Sequence, residues 1–244
     1  MDEIYMLKSI YRSEGRYIKG IFCATYYPET PQIRGQFIFL HGFPSWRTKN
    51  YDLAEVLASE GFIVHIPHYP GLGLSKGTFD FIETREKIFH FINEIKVQNP
   101  ELKTSFLGHS WGGYLSLYYQ ELCDDMLILM APLAKFPQGS KLEQLIDSLI
   151  QEAPEDCIRY DRDSFLTTFR LLENNLEIKG ILKNMTAKKV YLFKAERDEV
   201  ITPDLINDFS ESNKNSKLQV VSIDDDHIFS KRGLFIKELL KYIK

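Results

Sequence analysis

Residues Gly108-His109-Ser110-Trp111-Gly112 carry the most information about the fold of this chain. The apolar and small residues Thr104-Ser105-Phe106-Leu107 precede it, and a run with helical character, Gly113-Tyr114-Leu115-Ser116-Leu117-Tyr118, follows it. A strand, a sharp turn and a helix in this order are what a G-x-S-x-G nucleophile elbow requires. Side chains two residues before and two after the serine would collide with each other or with neighbouring strands, so glycine is needed there. The pattern predicts a strained turn that holds the hydroxyl of Ser110 out over the edge of a sheet.

Apolar segments alternate with amphipathic ones on both sides of this turn, which is typical of a mostly parallel sheet with helices on both faces. Strands are predicted over residues 36–40, 62–66, 104–107, 126–130, 190–193 and 218–223, and helices over residues 51–60, 79–97 and 234–243. At the N-terminus, residues 4–10 and 17–27 flank Ser13-Glu14-Gly15 and predict a hairpin around those three residues.

The segment from Pro132 to Lys188 breaks this alternation, because no strand pattern occurs in it. Apolar residues recur there at helical spacing: Leu142, Leu145, Ile146, Leu149 and Ile150, and then Phe165, Phe169, Leu171 and Leu172. We interpret residues 132–188 as a small helical cap inserted at the carboxyl edge of the sheet, where ligands bind in open α/β sheets. An ordinary crossover helix with a long linker is the alternative. Residues 1–244 are otherwise expected to form one domain.

Composition limits the class of protein and its partners. The chain has 244 residues, 44% of them hydrophobic, and a formal net charge of -4. Because there is no basic excess to neutralise phosphates, we expect no nucleic-acid partner. The first residues lack the basic and apolar regions of a signal peptide, and no apolar run approaches transmembrane length, so we expect no membrane partner. Three widely separated cysteines, Cys23, Cys123 and Cys157, fit a reducing compartment, and we expect a cytoplasmic location.

A serine hydroxyl becomes a nucleophile only with a base in hydrogen-bond reach and a carboxylate that orients the base. In elbow enzymes the chain order is serine, acid, histidine. His227 is the only histidine after Ser110, and it directly follows the last predicted strand. For the acid we favour Asp198, whose short side chain suits the loop before Val200-Ile201, although Glu196 and Glu199 compete with it.

Acyl transfer also needs two backbone N–H groups aimed at the oxygen on which negative charge develops. We expect one from Trp111, directly after the serine, and the other from Phe43 in the loop after the first parallel strand. In that loop His41 is interpreted as a bracing residue, while His109 is expected to pack into the corner between strand and helix. Trp46 and Tyr69 are candidates for lining the substrate pocket, and packing is the equal alternative for both. No histidine or cysteine lies in a pattern that suggests a metal site.

Together these residues resemble the α/β-hydrolase superfamily, over most of the chain from His41-Gly42 to Asp226-His227. The run Gly-x-Ser-x-Gly-Gly-Tyr and the later Asp-His pair look like the branch that contains prolyl-oligopeptidase-type domains and related single-domain esterases. The resemblance implies an eight-stranded, mostly parallel sheet, a Ser-Asp-His triad and neither a metal nor an organic cofactor. The chain lacks the length for a propeller domain, so a small capped carboxylesterase fits it better than a peptidase.

The expected activity is hydrolysis of a small-molecule acyl ester through an acyl-enzyme on Ser110. A thioester or a small amide is the alternative on the same residues, and self-association as a homodimer is left open. Dehalogenases and epoxide hydrolases typically have Asp at the elbow, which Ser110 disfavours. A non-catalytic binding protein that retained the fold is the alternative from another class. Its mark would be the loss of a triad residue, and all three are present.

Overall fold

The structure, a computed structural model, describes residues 10–44, 51–133, 147–148, 150–151, 157–175, 187–213 and 217–244. Within them the strands are β1 (Tyr11–Ile18), β2 (Ile21–Pro28), β3 (Gly35–Leu40), β4 (Phe62–Pro67), β5 (Thr104–His109), β6 (Met126–Met130), β7 (Lys189–Ala195) and β8 (Leu218–Ile223). The α-helices with described bounds are α1 (Tyr51–Ser59), α2 (Phe81–Gln98), α3 (Trp111–Tyr118), α4 (Arg162–Asn175), α5 (Pro203–Ser212) and α6 (Arg232–Ile243).

All eight strands form one sheet in the order β1-β2-β4-β3-β5-β6-β7-β8. Strand β2 is antiparallel to both β1 and β4, and every other neighbouring pair is parallel, so the predicted mostly parallel sheet is confirmed. After β3 the chain continues to β4 on one side and then crosses to β5 on the other. Leu40 therefore pairs with Gly108, and β3 and β5 end side by side. Ligands bind at such a switch point in open α/β sheets.

Helices cover both faces of the sheet. Helices α1 and α6 pack on one face, and α2, α3 and α5 pack on the other, which gives two separate apolar cores. Helix α2 shows why these segments form helices, since Ile88, Ile92 and Ile95 recur on its buried face. Asp80 caps its N-terminus, where the carboxylate accepts hydrogen bonds from the backbone N–H groups of Ile82 and Glu83. No described helix is long and apolar enough to span a bilayer.

The N-terminal hairpin forms, but the predicted turn position was wrong. Strands β1 and β2 pair directly across Lys19-Gly20, where both residues have positive φ, 50° and 82°. A two-residue turn with both φ angles positive matches the right-handed twist of a hairpin. Gly15, which we had placed at the turn, lies within β1 instead. A Cβ there would come within 2.5 Å of the tip of the Phe22 ring, which would have to move aside.

The start of the helix expected from residue 79 differs from its prediction, and the cap predicted over residues 132–188 is described only in part. The helix expected from residue 79 begins at Phe81, because Asp80 caps it and the backbone N–H of Phe79 donates to the carbonyl oxygen of Arg159. Much of the predicted cap, residues 132–188, lies outside the described residues. In the described part, α4 carries the helical spacing of Phe165 and Phe169, and the cap assignment as a whole stays a prediction.

Three histidines, His41, His65 and His109, are buried as neutral rings, and a fourth, His68, is half-buried. Desolvation lowers the pKa of His41 and His68 to about 4 and that of His65 and His109 to about 3, because burial disfavours the charged imidazolium. In the unfolded chain these rings take up protons below about pH 6.5. Their contribution to stability is therefore complete above that pH and is lost as the pH falls towards the native pKa values.

We predict that the free energy of unfolding falls between pH 7.5 and pH 5.5 by about 1 kcal/mol for each buried histidine. Replacing His65 with Asn should reduce this pH dependence by about a quarter, because one of four such rings is removed. Urea unfolding at a series of pH values measures it. His90→Asn is the control, since His90 is exposed and solvated in both states. The prediction would be contradicted if the free energy of unfolding of His65→Asn changed with pH as steeply as that of the wild type.

Candidate active site

Ser110 sits in a strained turn between β5 and α3. Its backbone angles are φ 52° and ψ -116°, in a region that residues with side chains rarely adopt. The turn is held by hydrogen bonds from the N–H of Ser110 to the carbonyl oxygen of Met130 and from the N–H of Leu133 to the carbonyl oxygen of Ser110. The strain is thus maintained by bonds to the end of β6 and to the residues that follow it.

The two glycines of the motif are required by close backbone approach. A Cβ at Gly108 would lie 2.6 Å from the carbonyl oxygen of Gly112, and a Cβ at Gly112 would overlap the carbonyl group of Leu40. The structure therefore contains both of the predicted close approaches, one to the other side of the turn and one to a neighbouring strand. The space at Gly42 is tight but less restricted, since a Cβ there would lie 3.2 Å from Cβ of Ser110.

His227 lies between the serine and an acid. The hydroxyl of Ser110 donates to Nε2 of His227 at 3.1 Å, and Nδ1–H of His227 donates to Oδ2 of Asp198 at 2.8 Å. The three residues come from the loops after β5, β7 and β8, which all open at the carboxyl edge of the sheet. The structure therefore brings together the serine, the histidine and the favoured acid in one hydrogen-bonded chain.

The carboxylate of Asp198 is buried, and both of its oxygens accept hydrogen bonds. Its side chain is 1% exposed, and Oδ1 accepts the backbone N–H groups of Val200 and Ile201 at 2.8 and 2.7 Å. With the bond from His227, three donors compensate the cost of burying the charge. A buried carboxylate held in this way orients the imidazole that it contacts.

The competing acids point elsewhere. Glu196 forms an ion pair with Lys194 at 3.1 Å, and a hydrogen bond from Ser222 lowers its pKa. Glu199 is exposed. The choice left open by the sequence is thus made by the direction of the loop after β7, which turns only Asp198 inward.

The acidic run before His227 shapes its loop. The carboxylate of Asp225 accepts the backbone N–H of Lys231, and that of Asp226 accepts the N–H groups of Ile228 and Ser230. Asp224 is exposed and pairs with Arg197 and with the side chain of Lys231. These bonds fix the path of the chain on both sides of the histidine.

Hydrogen bonds and a ring contact hold the loop after β3 in place. The hydroxyl of Tyr69 donates to the carbonyl oxygen of His41 at 2.7 Å, and the two rings lie 4.1 Å apart. Nδ1 of His41 bonds to the carbonyl oxygen of Gly42 at 2.9 Å, in agreement with a bracing role. Tyr69 has no exposed surface. Trp46, the other pocket candidate, lies outside the described residues.

An aromatic cluster lies beside the turn and includes the two residues expected to supply the backbone donors. The ring of Phe43 packs on Phe79 at 4.5 Å and on Phe165 of α4 at 5.5 Å. Trp111 meets Phe81 edge to face at 4.8 Å. The side chains around Phe43 and Trp111 are therefore apolar and planar.

The sequence missed one polar contact. His109 was expected only to pack in the corner, but its Nε2 lies 2.8 Å from the carbonyl oxygen of His227. Unlike the pairing of Ser110 with His227, this bond belongs to no motif that the sequence carries, because its acceptor is a main-chain carbonyl, which every residue has. Within the described part of the chain, no group of three or more His, Cys, Asp or Glu side chains is arranged to hold a metal ion.

A family profile described as serine aminopeptidase, S33 matches residues 31–191, which is well over half of the chain. No curated protein matches the sequence significantly. The profile supports the resemblance to the α/β hydrolases at the level of the superfamily. The narrower likeness to the prolyl-oligopeptidase branch stays a prediction.

Solved structures resemble this one over nearly its whole length. The Est1E protein of Butyrivibrio proteoclasticus with ferulic acid bound has a TM-score of 0.69 and 17% identity, and covers 93% of this chain and 96% of its own. A monoacylglycerol lipase of Paleococcus ferrophilus has a TM-score of 0.67 and 20% identity, and covers 91% of this chain and 98% of its own. A lidless α/β serine hydrolase of Xanthomonas campestris has a TM-score of 0.64 and 15% identity, and covers 98% of this chain and 95% of its own. These likenesses establish the α/β-hydrolase fold.

We predict that Gly112→Ala destabilises the protein by more than about 3 kcal/mol, the upper end of what forced overpacking usually costs. The obstacle is the backbone carbonyl of Leu40, which cannot rotate away. Urea unfolding measures the change. Gly77→Ala is the control: a Cβ there meets open space, and only its positive φ of 86° adds a cost, of about 1 kcal/mol. Equal losses in the two variants would contradict the steric argument.

Proposed function

The chain belongs to the serine aminopeptidase S33 family of hydrolases. On the geometry around Ser110, we propose that it cleaves carboxylic esters through an acyl-enzyme on that serine. The observation that carries the proposal is the hydrogen-bonded chain from Ser110 through His227 to Asp198. A nucleophile, a base and an orienting acid in this geometry form the arrangement used for acyl transfer on several unrelated folds.

In the proposed acylation step, Oγ of Ser110 attacks the carbonyl carbon while Nε2 of His227 takes the hydroxyl proton. The neutral ring is suited to this, because Nδ1–H is committed to Asp198 and leaves Nε2 free to accept. Asp198 stays ionised and stabilises the imidazolium that forms. Collapse of the tetrahedral intermediate then breaks the ester bond, and His227 returns the proton to the leaving alcohol.

The backbone N–H groups of Phe43 and Trp111 are the proposed donors to the oxyanion. Two features support this assignment: Trp111 begins α3 directly after the nucleophile, and Gly42 lets the loop after β3 approach Ser110 closely. Loss of one such donor in other hydrolases costs roughly 3 kcal/mol of barrier. In deacylation, water attacks the acyl carbon, with His227 as base, and restores Ser110.

The aromatic cluster supports an uncharged acyl group as substrate. Phe43 is half-buried beside the nucleophile and packs on Phe81 and Phe165, which are buried, so of these three rings Phe43 is the one that leaves apolar surface exposed. Apolar or planar groups gain by leaving water against such a surface, whereas a charged group would lose its solvation without a partner.

The family description favours a second candidate, hydrolysis of aminoacyl amides. An aminopeptidase must bind the α-ammonium group of its substrate, for which a carboxylate is suited. The carboxylates closest along the chain to His227 are already bonded, Asp225 and Asp226 within their own loop and Asp224 to Arg197 and Lys231. This arrangement supports the neutral ester over the amide.

Replacing Ser110 with Ala is expected to abolish both the hydrolysis of short p-nitrophenyl esters and covalent labelling by a fluorophosphonate probe. Both require the Oγ nucleophile. Ester turnover, aminoacyl p-nitroanilide turnover and probe labelling should be measured on the same preparations. Ser116→Ala, a change on the same helix, controls for generic damage. Labelling that persists in Ser110→Ala would overturn the proposal, and faster turnover of the anilides would favour the second candidate.

Asp198→Asn is expected to lower kcat by about 10³- to 10⁴-fold, because the amide favours the wrong tautomer of His227. Glu196→Gln is the matched control in the same loop and should stay near the wild-type rate, since that carboxylate pairs with Lys194. Steady-state ester kinetics measures both. If Glu196→Gln were the variant that lost activity, the acid would be misassigned.

A further inference from the structure

We propose that His109 is a positioning residue that fixes the catalytic base His227 by holding its main-chain carbonyl oxygen. The inference rests on the proposed function for the role of His227 as a base, but the contact itself does not. His109 immediately precedes the nucleophile, so the same turn that presents Ser110 also holds the histidine loop that serves it.

The contact fixes the protonation of His109. Its Nε2 lies 2.8 Å from the carbonyl oxygen of His227, and a carbonyl oxygen can only accept a hydrogen bond. Nε2 must therefore carry the proton. The ring is buried and burial lowers its pKa to about 3, so His109 stays neutral and keeps this tautomer at neutral pH.

With this bond, His227 is fixed at three atoms. Its two ring nitrogens bond to Asp198 and Ser110, and its carbonyl oxygen accepts the proton of His109. The carboxylate of Asp226 fixes the residues that follow, but it does not reach His227 itself. His109 is thus the contact that ties the backbone of the base directly to the elbow.

The same ring also meets the donor loop. A Cβ at Gly42 would lie 3.1 Å from Nδ1 of His109, so the backbone of that loop passes close to the ring. The rings of His109 and His227 lie 5.0 Å apart. His109 therefore lies between the loop after β3 and the loop after β8, and it contacts both without touching a reacting atom.

The test compares His109→Gln with His109→Met. The Gln side chain carries an N–H that can reach the same carbonyl, whereas Met fills similar volume and donates nothing. We expect His109→Met to lower kcat for p-nitrophenyl esters by about 100-fold, the scale for a misplaced catalytic group, with KM unchanged. His109→Gln should recover most of this loss. Equal activity of the Met variant and the wild type, or failure of Gln to recover more than Met, would overturn the proposal.

A second readout needs no turnover. In wild-type protein, proton NMR should show a strongly downfield signal from Nδ1–H of His227, assigned by its loss in Asp198→Asn. We expect His109→Met to broaden or remove this signal through exchange with water, and His109→Gln to keep it. Retention of a sharp signal in the Met variant would overturn the inference. If the wild type shows the signal but is inert to esters and probe, only the proposed function fails.

His65→Asn controls for the loss of any buried histidine. His65 bonds to Thr25 and Gln36 within the sheet and touches neither loop of the site. The His65→Asn substitution should lower the stability of the protein while leaving both kcat and the downfield signal unchanged. If it reduced kcat as much as His109→Met does, the effect of His109 would be a general loss of stability and the proposal would be wrong.

Discussion

The close approach of α3 to the end of β3 is the constraint on which the rest of the structure depends. Gly112 lies against the carbonyl group of Leu40, at a distance that no side chain allows. The contact exists because β3 and β5 are parallel neighbours that end together. The loop of Gly42 lies beside the serine at this edge, where hydrogen bonds with Met130 and Leu133 hold Ser110 at a positive φ. A switch in strand order and three glycines thus create one compact site at the sheet edge.

The electrostatics of the site follow from burial. Asp198 brings one negative charge below the surface, and three hydrogen bonds compensate for its desolvation. His41 and His109 are also buried, and burial keeps their pKa values at about 4 and 3, so they add hydrogen bonds without adding charge near pH 7. His227 is then the histidine of the site that is left to exchange a proton with Ser110. The neutral rings around it serve to hold loops in place.

The aromatic cluster links α4 to the turn at Ser110. Phe165 of α4 packs on the ring of Phe43, whose backbone N–H we assign to the oxyanion. The segment of residues 157–160 pairs with the loop after β4 through backbone bonds between Arg159 and Gly71 and between Phe79 and Arg159. The position of α4 therefore bears on both the apolar surface beside Ser110 and the loop that supplies a donor.

Local chemistry determined much of this protein from its sequence. The glycines around Ser110 specify a turn by sterics alone, hydrophobic periodicity specifies β6 and β8 to the residue, and His227 had no rival after the serine. Other features depend on contacts between distant segments. The turn at Lys19-Gly20 was missed because Gly15 signals a turn locally and is explained only by the ring of Phe22 across the hairpin. Side-chain length favoured Asp198 over Glu196 along the chain, but both are carboxylates in one loop, and only the packing of the loop after β7 shows which one turns inward. The bond between His109 and His227 joins loops that meet only once the sheet is assembled, so tertiary structure alone decided it.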